Sequence, residues 1–357
     1  MTVRKTGQCR TQLSPVRSTS IATTSDDETR MGQAMTVAAA VRRRVAPRPW
    51  VGAVVVPSGE PDHPGFEGAT DGRTGPHAER VALAAAGDAA KGSTLYVTLE
   101  PCSHHGLTPP CVDAVIDAGV ARVVVGITDP DENVSGEGIA RLRAAGIDVE
   151  VGCRSDDVAR QLAPYLHHRS TGRPFVVLKL ASTLDGRTAG PDGSSKWITG
   201  DEARLDAHRL RADSDAILVG AGTVRADTPA LTVRLPDEER GPDDTEPLRV
   251  VLGTASTGAA VQPCLEVSGD LGVILDDLGD RGILQLMIEG GSSVAQAFHG
   301  AGLVNRYVLY VAPAFFGGND ALGLFSGVGA ASVGDLWRGR IVDVARVGDD
   351  LRLEIEA

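Results

Sequence analysis

Leu95-Tyr96-Val97-Thr98-Leu99-Glu100-Pro101-Cys102, with Pro109-Pro110-Cys111 behind it, decides what kind of molecule this chain makes. The apolar run reads as a buried strand that ends on Pro-Cys, and the second cysteine opens the next helix directly after two prolines. Upstream, His77-Ala78-Glu79 enters an Ala-rich helix after Gly75-Pro76. His77, Cys102 and Cys111 together offer one nitrogen and two sulfurs, a donor set for tetrahedral Zn²⁺ that leaves a fourth position for water. A helix start at Cys111 favours its thiolate form. Glu79, two residues from His77, is placed to move a proton between that water and a leaving group.

Each piece alone has an ordinary explanation. His-Ala-Glu occurs by chance, and two cysteines nine positions apart can simply fill a core. Their combination in a chain with only five cysteines outweighs that explanation. His-x-Glu followed by Pro-Cys is also the pattern of zinc deaminases of nucleobases, although the second cysteine here follows after eight residues rather than two. His104 and His105 lie between the cysteines and are rival ligands. Cys9, Cys153 and Cys264 read as structural or incidental.

The 357 residues carry a net charge of −12, from 35 Lys+Arg against 47 Asp+Glu, and this length predicts two domains. An acidic chain with 4% aromatic residues lacks the basic, stacking groove of a nucleic-acid enzyme, so no nucleic-acid partner is expected. No run of about 18 apolar residues is present, so no membrane span is expected. Sparse, odd-numbered cysteines point to a cytoplasmic setting rather than a disulfide scaffold. A zinc-stabilised binding protein without catalysis is the remaining rival, but it has no use for Glu79.

Residues 1–30 show no apolar periodicity and read as a disordered extension. Order is expected from Met31, where Met31, Ala34, Met35, Val37 and Ala38 recur at helical spacing. Strands at 51–56, 95–99, 122–127 and 149–151 alternate with helices, an α/β pattern covered on both faces. This first domain spans 31–153. A connecting helix over 156–170 and a turn at 171–174 occupy the 154–173 link. The second domain, 174–357, has strands at 175–180, 216–219, 249–252, 284–288 and 307–311.

No Gly-x-Gly-x-x-Gly opens the second domain. Instead, two strand-glycine-helix junctions occur, Val219-Gly220-Ala221-Gly222-Thr223 and Ile288-Glu289-Gly290-Gly291-Ser292-Ser293. Small residues at a helix start let backbone N–H groups approach phosphate. Trp197 is either a core anchor or the flank of a bound ring. Lys179 stands inside an apolar run, where an unpaired ammonium is costly; it snorkels, or meets Glu289 or a substrate oxygen.

Val51-Gly52-Ala53-Val54, His77-Ala78-Glu79, Thr98 to Gly106 and Thr108-Pro109-Pro110-Cys111 together resemble the bifunctional riboflavin-biosynthesis deaminase/reductases (RibD/RibG). In the second half, Lys179-Leu180-Ala181-Ser182-Thr183-Leu184-Asp185-Gly186-Arg187 and Pro229-Ala230-Leu231-Thr232-Val233-Arg234 continue the likeness. The resemblance implies a cytidine-deaminase-like three-layer domain followed by a dihydrofolate-reductase-like α/β domain. It implies zinc on His77, Cys102 and Cys111, with Glu79 as proton shuttle. The substrate it implies is a phosphorylated ribosylamino-pyrimidinone derived from GTP, first deaminated and then reduced to a ribityl chain with NADPH. Ala181, Trp197, Thr223, Asp227 and the run Gly291, Ser292, Ser293 and Val294 are implied cofactor contacts. Ser195, Arg211, Leu231, Arg234 and Glu289 are implied substrate contacts, and Lys179 is expected to assist protonation. A homo-oligomer is expected.

Departures from the family pattern are Arg48 in place of an Asn, Thr70 in place of a His, Leu107 in place of a cation, and Thr228 in place of a second Asp. Residues 254–272 look shortened, so that a strand or a loop is expected to be missing there. The alternative function is a reductase-competent paralogue whose deaminase half is impaired or takes another aminopyrimidine.

Overall fold

The structure, a computed structural model, describes residues 23–105, 109–130 and 136–356. Leu107, Cys9 and most of the expected N-terminal extension lie outside the described residues. The first half runs α1 Ser25–Ala39, α2 Arg42–Val45, β1 Gly52–Val56, β2 Phe66–Ala69, α3 Ala78–Ala86, β3 Thr94–Leu99, α4 Cys111–Asp117, β4 Arg122–Ile127, α5 Glu137–Ala144 and β5 Asp148–Val151. Its sheet has the order β2-β1-β3-β4-β5. β1 runs antiparallel to β2 and β3, and β3, β4 and β5 are parallel.

Every residue of β1 is buried, as are all but the first of β3, which is why these segments are apolar without alternation. α1 packs so closely on β1 that a Cβ at Gly52 would stand 1.9 Å from the Ala34 carbonyl oxygen. Only glycine permits that approach.

α1 starts at Ser25, six residues before the expected onset of order at Met31. Its first turn carries no apolar stripe because its buried member is Asp27, 1% exposed. Thr24 and Asp27 form a reciprocal capping box. Asp27 also accepts hydrogen bonds from Arg122 (2.7 Å) and the Tyr96 hydroxyl (3.0 Å). Burial alone would raise the Asp27 carboxyl, but Arg122, Thr24 and Tyr96 hold it well below the usual carboxylate range. A depressed acid contributes stability above its unfolded value, about pH 4, and loses that contribution as pH falls further. Asp27→Ala is therefore expected to cost on the order of 2–4 kcal/mol near neutrality. The deficit should shrink steadily below about pH 4 in denaturant titrations; a pH-independent deficit would exclude the ionic origin.

Two helices occupy the expected single connector, α6 Ser155–Gln161 and α7 Ala163–Thr171. Pro164 at the start of α7 has no N–H to continue the ladder of α6, so the chain breaks at Leu162. The second half continues with β6 Phe175–Thr183, β7 Arg187–Ala189, α8 Asp201–Ala212, β8 Ala216–Gly220, α9 Ala221–Asp227, β9 Leu248–Leu252, β10 Leu265–Val267, α10 Leu271–Asp280, β11 Gln285–Ile288, α11 Ser292–Gly300, β12 Arg306–Ala312, β13 Leu322–Gly323, β14 Arg340–Val347 and β15 Asp350–Glu356.

The large sheet has the order β10-β9-β8-β11-β6-β12-β15-β14, while β7 and β13 form a separate pair. β10 pairs parallel to β9, so of the strand or loop expected to be missing from 254–272 the strand is present, reduced to three residues at the sheet edge. The halves meet through Arg43–Asp213 (2.7 Å), Arg42–Asp215 (3.5 Å) and the His168 ring against the Gly279 carbonyl (3.0 Å).

Candidate functional site

In the first half, α3 and α4 begin beside the end of β3, and this brings the three sequence-distant donors together. His77 is the N-cap of α3, Cys102 lies three residues past β3, and Cys111 is the first residue of α4. Their ligand atoms all lie within 4.8 Å of one another. The Cys102 Sγ to His77 Nδ1 separation is 3.5 Å, against about 3.6 Å expected for N and S on one tetrahedral zinc with ordinary bond lengths. The donor set therefore fits zinc in both chemistry and spacing. His104 and His105 are exposed and stand outside the cluster.

The helix start acts on a different sulfur from the one expected. The Cys111 N–H points at Cys102 Sγ, 3.3 Å away. The Cys111 thiol beside it, His77 and the Cys111 backbone N–H hold Cys102 well below an ordinary thiol. Cys111 is pushed up by Cys102 next to it and by burial. A divalent cation held here would favour the thiolate form of both sulfurs. Glu79, in the first turn of α3, is 3% exposed, and burial pushes its carboxyl above its ordinary value.

Two of the departures from the family pattern have structural roles here. Arg48 Nη1 donates to the carbonyls of Gly72 (3.1 Å) and Gly75 (3.0 Å), bracing the turn that delivers His77. Burial lowers the Arg48 guanidinium, while Cys111, Cys102, Asp71 and Glu79 act to keep it charged. The Thr70 hydroxyl donates to the Pro49 carbonyl (3.0 Å) and accepts from the Val51 N–H (3.1 Å), so it ties down the segment entering β1.

The second site lies where β8, β11 and β6 run side by side. Ile288 pairs with Leu178, so Glu289, the next residue along β11, comes level with Lys179. The two strand-glycine-helix junctions meet: the Gly291 N–H donates to Thr223 Oγ1 at 3.1 Å, and a Cβ at Gly220 would touch Val294 at 2.8 Å. Gly291 is the N-cap of α11, with Ser292, Ser293 and Val294 in its first turn. Both junctions follow parallel strands at their carboxyl ends, the usual place for ligands in such sheets.

Arg211 on α8 donates to both oxygens of Glu289, at 2.8 and 2.9 Å, and to the Thr232 carbonyl at 2.6 Å. Burial would raise the Glu289 carboxyl, but Arg211 and Lys179 hold it below its usual value. Burial lowers Lys179, with Arg211 adding to that effect and Glu289 opposing it. Lys179 thus meets Glu289 through its charge, since Arg211 occupies the carboxylate.

His208 belongs to this cluster and was not anticipated from sequence. Its Nδ1 lies 3.3 Å from Arg211 Nη1 and from the Arg234 N–H. Burial first, then Arg211, push the ring down to about 4. Its position three residues before Arg211 on one helix was the available signal.

The remaining predicted residues spread around this crevice. Ala181 follows Lys179 on β6, and Asp227 ends α9 with its carbonyl 3.5 Å from Lys196 Nζ. Leu231 is buried at φ +52°, and Arg234 donates to Thr232 Oγ1 at 3.2 Å. Ser195 is half-buried on the approach to α8. Trp197 is 69% exposed, so it is no core anchor; the Arg204 guanidinium lies 4.5 Å from its ring.

The family model for the cytidine and deoxycytidylate deaminase zinc-binding region matches residues 24–127, and that for the RibD C-terminal domain matches 174–353. Riboflavin biosynthesis protein RibD of Mycobacterium tuberculosis is 41% identical over 92% of this chain and 96% of its own length. The Escherichia coli protein of the same name is 38% identical over 92% of this chain and 99% of its own. Among solved structures, Acinetobacter baumannii RibD superposes with a TM-score of 0.84 at 35% identity, covering 93% of this chain and 98% of that one. A diaminohydroxyphosphoribosylaminopyrimidine deaminase/5-amino-6-(5-phosphoribosylamino)uracil reductase from Thermotoga maritima gives 0.81 at 35% identity, with the same coverage.

Proposed function

The chain belongs to the RibD family of riboflavin-biosynthesis enzymes, and from that premise we propose how its residues divide the family's two reactions between them. It is a bifunctional enzyme that deaminates a phosphoribosylamino-pyrimidine and then reduces the ribosyl group, with zinc and NADPH as its cofactors. The convergence of His77, Cys102 and Cys111 around one point beside the buried Glu79 carries the reading of the first reaction. No observation favours an impaired deaminase half. We assign deamination to a unit ending near 153 and starting at Thr24 rather than Met31, and reduction to 174–357.

His77 Nδ1 and the two cysteine sulfurs hold the zinc, which when bound supplies a Lewis acid and an acidified water. Glu79 accepts a proton from the attacking water as the C–O bond forms at the ring carbon, then returns it to the amino nitrogen, so that the C–N bond breaks and ammonia leaves. Removing Glu79 from bulk water keeps that proton from being lost during transfer.

In the second unit, Ser292 and Ser293 present N–H groups to the cofactor phosphates, while Gly291, whose own N–H is held by Thr223, lines its path with Thr223, Ala181, Asp227, Trp197 and Val294. NADPH supplies the hydride to C1 of the opened ribose. Arg211, paired to Glu289, keeps a cation at the crevice for the substrate's oxygens, with Arg234, Ser195 and Leu231 around it. Lys179, lowered by burial, donates the proton that balances the hydride.

Ammonia release and NADPH oxidation, followed separately on the GTP-derived pyrimidine, test this reading. Chelation of zinc is expected to stop the first while leaving reduction of pre-deaminated substrate intact. Loss of neither activity on chelation would remove the metal from the reaction.

The described residues contain no helix long and apolar enough to cross a membrane. We propose a cytoplasmic enzyme without nucleic-acid partners. The exposed Leu336, Trp337, Ile341, Val344 and Leu351, on and beside the last two strands, support a homo-oligomer in which a second copy covers this edge. Sedimentation as a monomer at micromolar concentration would refute it.

A further inference from the structure

Glu100 is 4% exposed, yet no part of the chemistry above uses it. It sits two residues before Cys102 in Glu100-Pro101-Cys102. Its carboxylate is directed away from the donors, into backbone: Oε2 accepts from the Gly136 N–H at 3.0 Å and the Asp129 N–H at 3.4 Å, and Oε1 accepts from the Ile139 N–H at 3.3 Å.

These partners have a particular meaning. Gly136 is the N-cap of α5, at φ +79°, and has no side chain with which to cap. Ile139 is the third residue of that helix, the position whose N–H an N-cap side chain normally satisfies. Glu100 therefore caps α5 from 36 residues away, and an anion at this end also suits the helix dipole.

Once docked, α5 touches the Pro101-Cys102-Ser103 segment on both sides of Cys102, at Pro101 and at Ser103. A Cβ at Gly138 would stand 2.2 Å from the Pro101 carbonyl oxygen, so helix and turn are in close contact there. Arg141, one turn further along, donates to the Ser103 carbonyl at 2.9 Å and to Asp113 on α4. On the other side, Cys102 receives the Cys111 N–H on its sulfur and the Val112 N–H on its carbonyl. Cys102 is thus held directly by the start of α4, its two flanking residues rest on α5, and Glu100 is the buried polar tie that docks α5 there.

We propose that Glu100 is a positioning residue for the deamination centre: by capping α5 it pins the helix against which the Pro101-Cys102-Ser103 turn rests, and so sets where Cys102 Sγ stands relative to His77 and Cys111. The proposal rests on the reading of those three residues as metal ligands. Groups that orient ligands without touching the metal typically govern affinity by about 10–100-fold.

The test uses the full-length chain loaded with zinc or cobalt(II). Glu100→Gln keeps the volume but turns an amide NH₂ toward backbone N–H donors, removing one acceptor site. It is expected to weaken zinc binding about 10–100-fold in chelator competition and to shift the cobalt(II) thiolate and d–d absorption bands. NADPH oxidation with pre-deaminated substrate should stay at the wild-type rate, because the second crevice is untouched. Gly138→Ala presses on the same turn from the helix side and is expected to move the cobalt bands in a chain whose Glu100 is intact; it decides the matter if Glu100→Gln does not yield a folded first half.

A residue that merely stabilises the fold would lower the melting temperature of the metal-free chain while leaving affinity and cobalt bands as in wild type, and that result overturns the proposal. Failure of the wild-type chain itself to bind zinc would instead sink the metal-ligand reading on which it stands.

Discussion

Glu79→Gln is expected to retain zinc and to release ammonia about a hundred- to ten-thousand-fold more slowly than wild type. Glutamine preserves the volume of a side chain that is 3% exposed, so the walls of the site have no reason to move. What it lacks is an oxygen able to take a proton and give it up again. Hydrolytic removal of an amine needs that exchange, because water must lose a proton as it attacks and nitrogen must gain one as it leaves. The described cluster itself, His77, Cys102 and Cys111, contains no carboxylate to take over. Zinc content by elemental analysis and ammonia by a coupled assay, with NADPH oxidation on pre-deaminated substrate as the control, make the comparison. Ammonia release at the wild-type rate, with zinc in place, would show that the proton travels by another route.

Arg211→Met is expected to damage the second activity as severely, through the partner it abandons. The two side chains are 13% and 14% exposed and share a two-pronged ion pair. Removing one member of such a pair leaves the other charge with little solvent, at a cost of about 3–5 kcal/mol. Stability of the second half and NADPH oxidation should both fall, the latter by a hundredfold or more, while ammonia release continues. The double variant Arg211→Met/Glu289→Gln separates structure from catalysis. With neither member of the ion pair left charged without the other, its melting temperature should recover much of the loss, whereas reduction should remain impaired because the cation facing the substrate is gone. Recovery of both quantities together would make the pair a purely structural one.

Much of the first site was legible because its ligands are chemically rare and its spacing is tied to punctuation. Histidine before a helix, Pro-Cys after an apolar strand and Pro-Pro-Cys before another helix each name both a donor and the element end that presents it. The second site was less legible. Arg211 and Glu289 are 78 positions apart, and nothing in either neighbourhood announces the other. His208 was overlooked for the same reason: its role comes from Arg211 and Arg234 converging on its ring. The onset of α1 was misjudged because the buried residue of its first turn is an aspartate, which a search for apolar periodicity passes over. β10 was unexpected because three residues pairing with one neighbour at a sheet edge carry too little burial to leave a pattern.

The order of amino acids alone was enough to point to two α/β halves, to three candidate donors, His77, Cys102 and Cys111, that the fold does bring together, and to two glycine-marked helix starts. All of these depend on residue type and local conformation, which neighbours along the chain control. Which sulfur the α4 N–H favours, which helix Glu100 caps and which cation neutralises Glu289 were decided only when the chain packed. Those are pairings between segments remote in sequence, and in a buried environment each donor or charge is stabilised by whichever partner the fold delivers to it.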